Sequence, residues 1–204
     1  MGDVAGEVAG LVCSGRPGAD CDAALIAQSL RDPERFGALF DRHAPAIFRY
    51  AARRLGPEAA DDVVAETFLA AFRQRQHYDH GRGDARPWLY GIATNLIGRH
   101  RRDEVRFFRA IARTGLDPAA EPVADEAMRH VAALAVSRQL AAAVAGLPRD
   151  QRDVLMLAAS GLSYQEASRA LGVPVGTVSS RLVRARTKVR DALGGVNPAG
   201  EREE

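Results

Sequence analysis

The sequence predicts an all-α protein made of two small helical domains joined by an acidic linker. Three observations lead to this prediction. Apolar residues recur at spacings of three and four in several stretches, which is the period of an amphipathic helix. Alternation of apolar and polar residues, the mark of a strand, is absent over any useful length. Glycine and proline interrupt the periodic stretches at places that suit helix ends.

The composition excludes some classes of protein. Of 204 residues, 47% are hydrophobic and 26% are charged, which is enough apolar content to build a core and excludes wholesale disorder. Neither a run of roughly 18 apolar residues nor a secretory signal is present, so we expect no membrane insertion and a cytoplasmic location. The net charge of +2 does not by itself indicate a partner.

The first domain is predicted over 24–106, after a glycine-rich leader at 1–23. Its first helix is expected between Phe36 and the Gly56-Pro57 pair, with apolar residues at Phe36, Leu39, Phe40, Ile47, Phe48, Ala51 and Leu55. Pro57 suits the first turn of a second helix. The apolar stripe of that helix comprises Val64, Phe68, Ala71 and Phe72, and its acidic residues away from the stripe are Asp61, Asp62 and Glu66.

A third helix follows a loop at 77–86. Its inward residues are predicted to be Trp88, Leu89, Ile92, Ala93 and Leu96. Asn95, Arg99 and Arg102 stand at i, i+4 and i+7, which would place them together on another face.

The linker is predicted over 107–129 and carries Asp117, Glu121, Asp125 and Glu126. The second domain is predicted over 130–193, with a tail at 194–204. It opens with an alanine-rich helix that ends before Pro148 and has an apolar stripe of Val136, Leu140, Val144 and Leu147.

The last third of the chain has the pattern of a helix-turn-helix. Ser163 and Glu166 form a capping-box sequence at the start of a short helix, and Gly172 supplies the turn that ends it. Pro174 opens the next helix. Its predicted inward residues are Val178, Leu182, Ala185 and Val189, and Arg181, Arg184 and Lys188 are predicted to project outward.

Positive charge is concentrated on two segments. Residues 177–190 contain no acid and five basic residues, Arg181, Arg184, Arg186, Lys188 and Arg190. A solvated basic face is the ordinary explanation of such a run. Here the charge coincides with the helix-turn-helix, so we expect Thr177, Ser179, Ser180 and Arg181 to lie nearest base edges, and the later cations to hold phosphates.

The second basic segment comprises Arg99, Arg101, Arg102, Arg106 and Arg109, and it follows the aromatic residues Tyr78, Trp88 and Tyr90. Arginines beside aromatic rings suit single-stranded or opened nucleic acid, because phosphates pair with arginine and unstacked bases need a flat surface. Core packing is the alternative role for Trp88, which lies on the apolar stripe.

The sequence contains no recognisable set of catalytic residues. Its five histidines match neither a zinc-protease motif nor a catalytic triad, and no phosphate-binding glycine loop occurs. His77 and His80 with Asp79 and Asp84 are better explained as a polar loop than as a metal site. We therefore expect no enzyme activity, no metal and no cofactor.

Two stretches together resemble bacterial sigma factors of group four, the extracytoplasmic-function (ECF) type of the sigma-70 family. The first is PEAADDVVAETFLAAF at 57–72 with RPWLYGIATNLIGRHRR at 86–102. The second is LPRDQRDVLMLAASGLSYQEASRALGVPVGTVSSRLVRAR at 147–186. Their order and the acidic linker between them make the resemblance specific, and it spans roughly 24–193.

The resemblance implies a subunit that binds core RNA polymerase and directs promoter-specific initiation. It implies polymerase contacts through Asp61, Asp62, Val64, Glu66, Thr67 and Phe68. It implies recognition and melting of the minus-10 element by Arg82, Arg86, Asn95, Arg99 and Arg102. It implies recognition of the minus-35 element by Thr177, Ser179, Ser180, Arg181, Arg184, Arg186 and Lys188.

Two residues depart from the family pattern. The family often has a basic residue in place of Ser179 and a glutamine or similar polar residue in place of Ala65. The partners expected from the resemblance are core RNA polymerase, promoter DNA and an anti-sigma factor. The alternative is a stand-alone helix-turn-helix regulator, which would leave the acidic residues of the second helix without a role.

Overall fold

The computed structural model describes residues 21–115 and 127–194, and every regular element in these two ranges is helical. The predicted leader up to residue 20, the acidic residues of the linker and the tail from 195 lie outside them. The helices before the gap are α1 (Asp22–Ser29), α2 (Phe36–Leu55), α3 (Pro57–Gln74), α4 (Arg86–Arg99) and α5 (Arg101–Thr114). Those after it are α6 (Ala127–Gly146), α7 (Arg149–Ala159), α8 (Tyr164–Leu171) and α9 (Val175–Ala192). We call 21–115 module one and 127–194 module two.

Helices α2 and α3 confirm the predicted elements on either side of Gly56. Gly56 has φ of 91°, a left-handed conformation that disfavours any side chain, and a Cβ there would lie 3.1 Å from the Phe107 ring. Pro57 occupies the first position of α3, where its missing N–H costs nothing. One predicted core residue is wrong: Phe40 is 42% exposed, although its ring packs edge-on against that of Phe68.

The third predicted helix is in fact two helices. α4 ends at Arg99, His100 is the break, and α5 begins at Arg101. Arg102 is therefore in a different helix from Asn95 and Arg99, so the predicted i, i+4, i+7 face is wrong at its last member. α5 continues to Thr114, through positions that the sequence assigned to the linker.

In module two, the predicted stripe of α6 is half right. Val144 and Leu147 are buried, whereas Val136 is 46% and Leu140 is 38% exposed. The alanine-rich composition gives this helix little amphipathic contrast, so the pattern did not define its inner face.

The helix-turn-helix is confirmed in detail. Ser163 Oγ accepts from the Glu166 amide at 3.2 Å, and Glu166 Oε2 accepts from the Ser163 amide at 2.7 Å. Gly172 ends α8 with φ of 64°. The four predicted inward residues of α9 are all buried: Val178, Leu182, Ala185 and Val189.

The two modules pack directly against each other, which the sequence did not indicate. α4 lies against α8 and α5 lies against α6, and one cluster of buried apolar residues extends through both modules. The contact is close, because a Cβ on Gly91 of α4 would lie 2.5 Å from the carbonyl oxygen of Ala170 in α8. Among the described helices, none has both the length and the hydropathy that crossing a membrane requires.

Candidate nucleic-acid interface

The outer face of α3 is acidic. Asp61, Asp62 and Glu66 are all exposed, as expected for a docking face. Three other residues that the resemblance assigns to the same contact are buried in module one: Val64 is 8%, Thr67 is 0% and Phe68 is 5% exposed. Direct contact between these three and a partner is inconsistent with this structure, and we assign them instead to positioning α3.

Two exposed apolar residues accompany the acidic face and were missed from the sequence. Leu69 of α3 is 48% exposed, and Phe40 of α2 is 42% exposed beside Phe68. Apolar side chains within a charged surface are typical of protein interfaces. The signal in the sequence was the phase of Leu69, which falls outside the stripe of Val64, Phe68 and Ala71.

The loop before α4 is fixed by a buried carboxylate at the start of α1. Asp22 is 6% exposed, and its oxygens accept hydrogen bonds from Arg42 Nη1 at 2.5 Å and from the Ala85 amide at 3.0 Å. His43 Nε2 lies 2.7 Å from the same carboxylate. Burial raises the pKa of Asp22, but the hydrogen bond and charge of His43, with the Ala85 and Arg42 bonds, outweigh it and lower the pKa to about 2. The carboxylate therefore ties the loop to α1 and α2.

The basic residues predicted to contact the minus-10 element are accessible to different degrees. Asn95, Arg99 and Arg102 are exposed. Arg82 is half-exposed and its Nε lies 2.8 Å from Asp79 Oδ2. Arg86 is the exception, because it is turned toward module two. Its Nη2 donates to the Ser160 carbonyl at 2.7 Å, and its Nη1 lies 3.6 Å from Glu166 Oε1.

The aromatic residues near this surface are mostly internal. Tyr78 is 6% and Tyr90 is 3% exposed. Burial raises the pKa of the Tyr78 hydroxyl above its usual range. Trp88 packs on Tyr78 with ring centroids 4.9 Å apart and is half-buried. Of the three rings, that of Trp88 is the one accessible to an unstacked base. It also packs against the core through Tyr78, which is the alternative role predicted for it.

The second basic segment lines a groove along the outer side of α5 and the end of α4, and the groove has a volume of about 1090 Å³. Arg113 also belongs to this surface, because α5 continues to Thr114 and not only to the predicted domain boundary at 106. Arg113 falls in the predicted linker, so it was not predicted as part of the basic surface. The side chains that line the groove are basic except for Asp103 and Val105: Arg99, Arg101, Arg102, Arg106, Arg109 and Arg113. Such a surface is complementary to nucleic-acid phosphates.

The outward face of α9 presents most of the residues predicted for duplex DNA. Ser180, Arg184, Arg186 and Lys188 are exposed, and Thr177 and Ser179 are half-buried. Arg181 does not project freely, because its Nε lies 3.0 Å from Asp150 Oδ2 of α7 and its side chain is 27% exposed.

Val183, which was not predicted from the sequence, lies beside Arg184 on this face and is 58% exposed. The sequence does indicate that Val183 is exposed, because it is out of phase with the inward positions Leu182 and Ala185. An exposed valine on a DNA-reading helix is suited to contact with a thymine methyl group.

Comparison with known proteins places these surfaces in two matched regions. The family model described as Sigma-70 region 2 matches residues 39–107, and the model described as Sigma-70, region 4 matches residues 137–189. The ECF RNA polymerase sigma factor SigE of Mycolicibacterium smegmatis is 36% identical over 159 residues, which cover 76% of this chain and 60% of SigE. The chain thus spans less than two thirds of that relative.

Other relatives are matched over nearly their whole length. The RNA polymerase sigma factor CnrH of Cupriavidus metallidurans is 36% identical over 183 residues, covering 85% of this chain and 95% of CnrH. The structure of CnrH in complex with the cytosolic domain of CnrY aligns with a TM-score of 0.60 at 30% identity, over 86% of this chain and 99% of CnrH. The sigma factor RpoE of Bartonella quintana, in complex with the anti-sigma factor NepR, shares the fold with a TM-score of 0.56 at 23% identity, over 80% and 99% of the two chains.

Proposed function

The chain belongs to the ECF sigma factors of the sigma-70 family, and from this premise we propose that it binds core RNA polymerase and directs initiation at promoters with matching minus-10 and minus-35 elements. The observation that carries the proposal is the order of the two matched regions, each with its own exposed basic surface. The protein selects the promoter and does not itself catalyse a reaction. It acts where the polymerase acts, in the cytoplasm.

The acidic face of α3 is the proposed polymerase contact. Asp61, Asp62 and Glu66 supply charge, and Leu69 with Phe40 supplies exposed apolar area. Charge steers and orients an encounter, whereas buried apolar area supplies most of the affinity. Both are needed for a stable complex.

Module one is proposed to bind the minus-10 element. Asn95 and Arg99 are exposed at the end of α4, and the arginines of α5 continue the basic surface. Arginine holds phosphates in two-point contact and positions the strand, while the half-buried ring of Trp88 is the aromatic surface available to an unstacked base. Arg86 becomes available for this role once it leaves Ser160 and Glu166.

Module two is proposed to read the minus-35 element in the major groove. A short capped helix and a glycine turn precede α9, which is the order of elements in a helix-turn-helix. Ser179, Ser180 and Val183 lie in its first half, nearest base edges, whereas Arg186 and Lys188 lie farther along and hold phosphates. An anti-sigma factor, the type of partner seen on RpoE, is a further expected partner.

Run-off transcription with purified core polymerase tests the proposal. The wild-type chain is expected to give promoter-dependent products from a library of genomic promoters, and core polymerase alone is expected to give none. Asp61→Lys with Asp62→Lys should abolish core binding, while Glu34→Lys, an exposed acid outside α3, should leave it intact. Absence of both core binding and product in the wild-type protein would overturn the proposal.

A stand-alone helix-turn-helix regulator is not favoured, because it uses only module two. The match to region 2 over 39–107 and the exposed acidic face of α3 would then have no purpose.

A further inference from the structure

Three side chains from separate parts of module one meet beside the loop that leads into α4, and we call them the Asp-His-Asp cluster. Asp22 is the first residue of α1, His43 lies in α2, and Asp84 lies in the loop directly before α4. Each offers one oxygen or nitrogen atom, and these three atoms all lie within 4.8 Å of one another. In the sequence Asp84 stands beside the histidines of its own loop, whereas the fold brings it to Asp22 and His43. The expectation of no metal, which considered that loop alone, therefore does not cover this cluster.

The two carboxylates of the cluster are held in position by backbone hydrogen bonds. Asp22 Oδ2, which lies 2.7 Å from His43 Nε2, also accepts from the Ala85 amide at 3.0 Å. Asp84 Oδ1 accepts from the Arg86 amide at 2.8 Å. Carboxylates that bind metals are commonly hydrogen-bonded in this way, because such bonds fix their orientation. Both carboxylates are therefore arranged before any ligand arrives.

The Asp-His-Asp cluster is buried on one side and open on the other. Asp22 is 6% exposed, and the His43 side chain is 13% exposed. Asp84 is exposed, so an ion can reach the cluster from solvent. The Arg42 guanidinium bonds the other oxygen of Asp22, Oδ1. A cation at Oδ2 would therefore replace the proton between Oδ2 and His43 Nε2 without displacing Arg42.

A buried hydroxyl without a hydrogen bond lies next to the cluster. Tyr78 is 6% exposed, and no described residue forms a hydrogen bond with its Oη. Burial raises the pKa of Tyr78, and the charges of Asp22 and Asp84 raise it further, which means that the hydroxyl lies close to both carboxylates. Buried polar groups in proteins nearly always have a partner. The Tyr78 hydroxyl therefore indicates a polar ligand between itself and the two carboxylates.

The donor atoms suit a transition-metal cation better than calcium or magnesium. Calcium and magnesium prefer oxygen ligands alone, whereas zinc accepts imidazole nitrogen and carboxylate oxygen together. Zinc lies about 2.1 Å from such atoms, so two of them in a tetrahedral site are about 3.4 Å apart. Asp22 Oδ2 and His43 Nε2 are 2.7 Å apart, and no separation between the three donor atoms exceeds 4.8 Å. Side-chain movements of about 1 Å therefore bring all three atoms to one ion.

We propose that the Asp-His-Asp cluster binds one divalent transition-metal cation of the zinc type, with a water as the fourth ligand beside the Tyr78 hydroxyl. The three protein ligands come from α1, α2 and the loop before α4, so the ion cross-links these elements. It stabilises the folded chain, because the ligands are far apart in the unfolded chain. The loop carries Arg82 and leads to Arg86, so the ion also restrains the edge of the surface proposed for minus-10 DNA. The site itself does not depend on that proposed function.

Zinc binding by the purified, metal-free full chain without an affinity tag tests the proposal. Competition with a chromogenic zinc chelator is expected to give one Zn²⁺ per wild-type chain. Asp84→Asn keeps an oxygen that can accept from the Arg86 amide but removes the charged ligand, and His43→Gln removes the nitrogen ligand. Each variant should bind Zn²⁺ at least tenfold more weakly. His100→Gln is the matched control, because His100 is exposed and pairs with Asp103 on the surface at 3.7 Å.

Two more measurements identify the ligands. Zn²⁺ should raise the melting temperature of wild type and of His100→Gln, but not that of Asp84→Asn. Co²⁺ in place of Zn²⁺ should give the weak visible absorption bands of nitrogen and oxygen ligands, without the intense near-ultraviolet band of a cobalt–thiolate bond. This spectrum would exclude the two cysteines of the sequence as the residues that bind the metal.

Failure of the wild-type chain to bind Zn²⁺ with one-to-one stoichiometry would overturn the proposal. Equal affinity in wild type and Asp84→Asn, or a cobalt–thiolate band, would overturn it as well. If His43→Gln loses helix content by circular dichroism, Asp84→Asn alone decides. All of these measurements use the free chain, so a negative result leaves the sigma-factor assignment standing.

Discussion

Replacing Glu104 by glutamine is expected to be the most damaging single isosteric change in the described part of the chain. Glu104 is 1% exposed and accepts a hydrogen bond from a guanidinium of each module, Arg54 at 2.6 Å and Arg152 at 2.9 Å. A hydrogen bond involving a charged group contributes about 1.5–3 kcal/mol. Glutamine keeps one acceptor but turns an N–H toward the second guanidinium, which leaves an uncompensated buried cation.

The expected loss in free energy of unfolding is therefore about 3–5 kcal/mol, the range for breaking a buried ion pair from one side. At roughly 2–4 °C per kcal/mol for a chain of this size, the melting temperature should fall by about 10 °C. Denaturant unfolding followed by circular dichroism measures the free energy directly.

Asp103→Asn is the matched control, because Asp103 is the preceding residue of the same helix. Its carboxylate is 54% exposed and lies 3.3 Å from Arg106, a surface pair whose loss should cost less than about 1 kcal/mol. If Glu104→Gln costs no more than Asp103→Asn, Glu104 is hydrated in solution, and our account of these buried ion pairs is refuted.

Further predictions concern α1, the capping box and the recognition helix. Asp22→Asn should lower the free energy of unfolding by about 2 kcal/mol at neutral pH. Because the pKa of Asp22 in the folded protein is depressed to about 2, the stability contributed by its carboxylate is complete above about pH 4 and is lost as the pH falls toward 2. The free energies of unfolding of wild type and variant should therefore converge near pH 2, and a difference that stays constant with pH would contradict this. Ser163→Ala should lower the free energy of unfolding by about 1 kcal/mol, measured by thermal unfolding. Ser180→Ala is the neutral comparison, because the exposed Ser180 hydroxyl donates to the Thr177 carbonyl of its own helix and caps no helix end. Replacing thymine by deoxyuridine in the minus-35 element should weaken binding by wild type but not by Val183→Ala, and an equal loss in both would remove Val183 from base contact. Arg181→Ala should reduce minus-35 selectivity by roughly 1–3 kcal/mol if Arg181 leaves Asp150 for a base, whereas equal loss on scrambled DNA would make it a phosphate contact.

The elements most faithfully predicted were those in which several local signals agree. The helix-turn-helix combined a capping box, a left-handed glycine and an apolar stripe of one phase, and each proved present. The break at His100 carries no such signal, because the nearest glycine, Gly98, lies within the last turn of α4 and no proline lies near it. The inner face of α6 was misassigned for a related reason: an alanine-rich helix offers too little contrast between its faces.

The charged core was not predicted because charged residues are ordinarily assigned to the surface. The periodicity nevertheless contained the signal. In α2, Arg54 follows Ile47, Tyr50 and Ala51 at helical spacing, so it falls on the apolar stripe. In α5, Glu104 precedes Phe108 and Ile111 at the same spacing. A charged residue in phase with an apolar stripe indicates a buried partner of opposite charge elsewhere in the fold. Which residue that partner is depends on how the modules pack, and no local pattern contains that information.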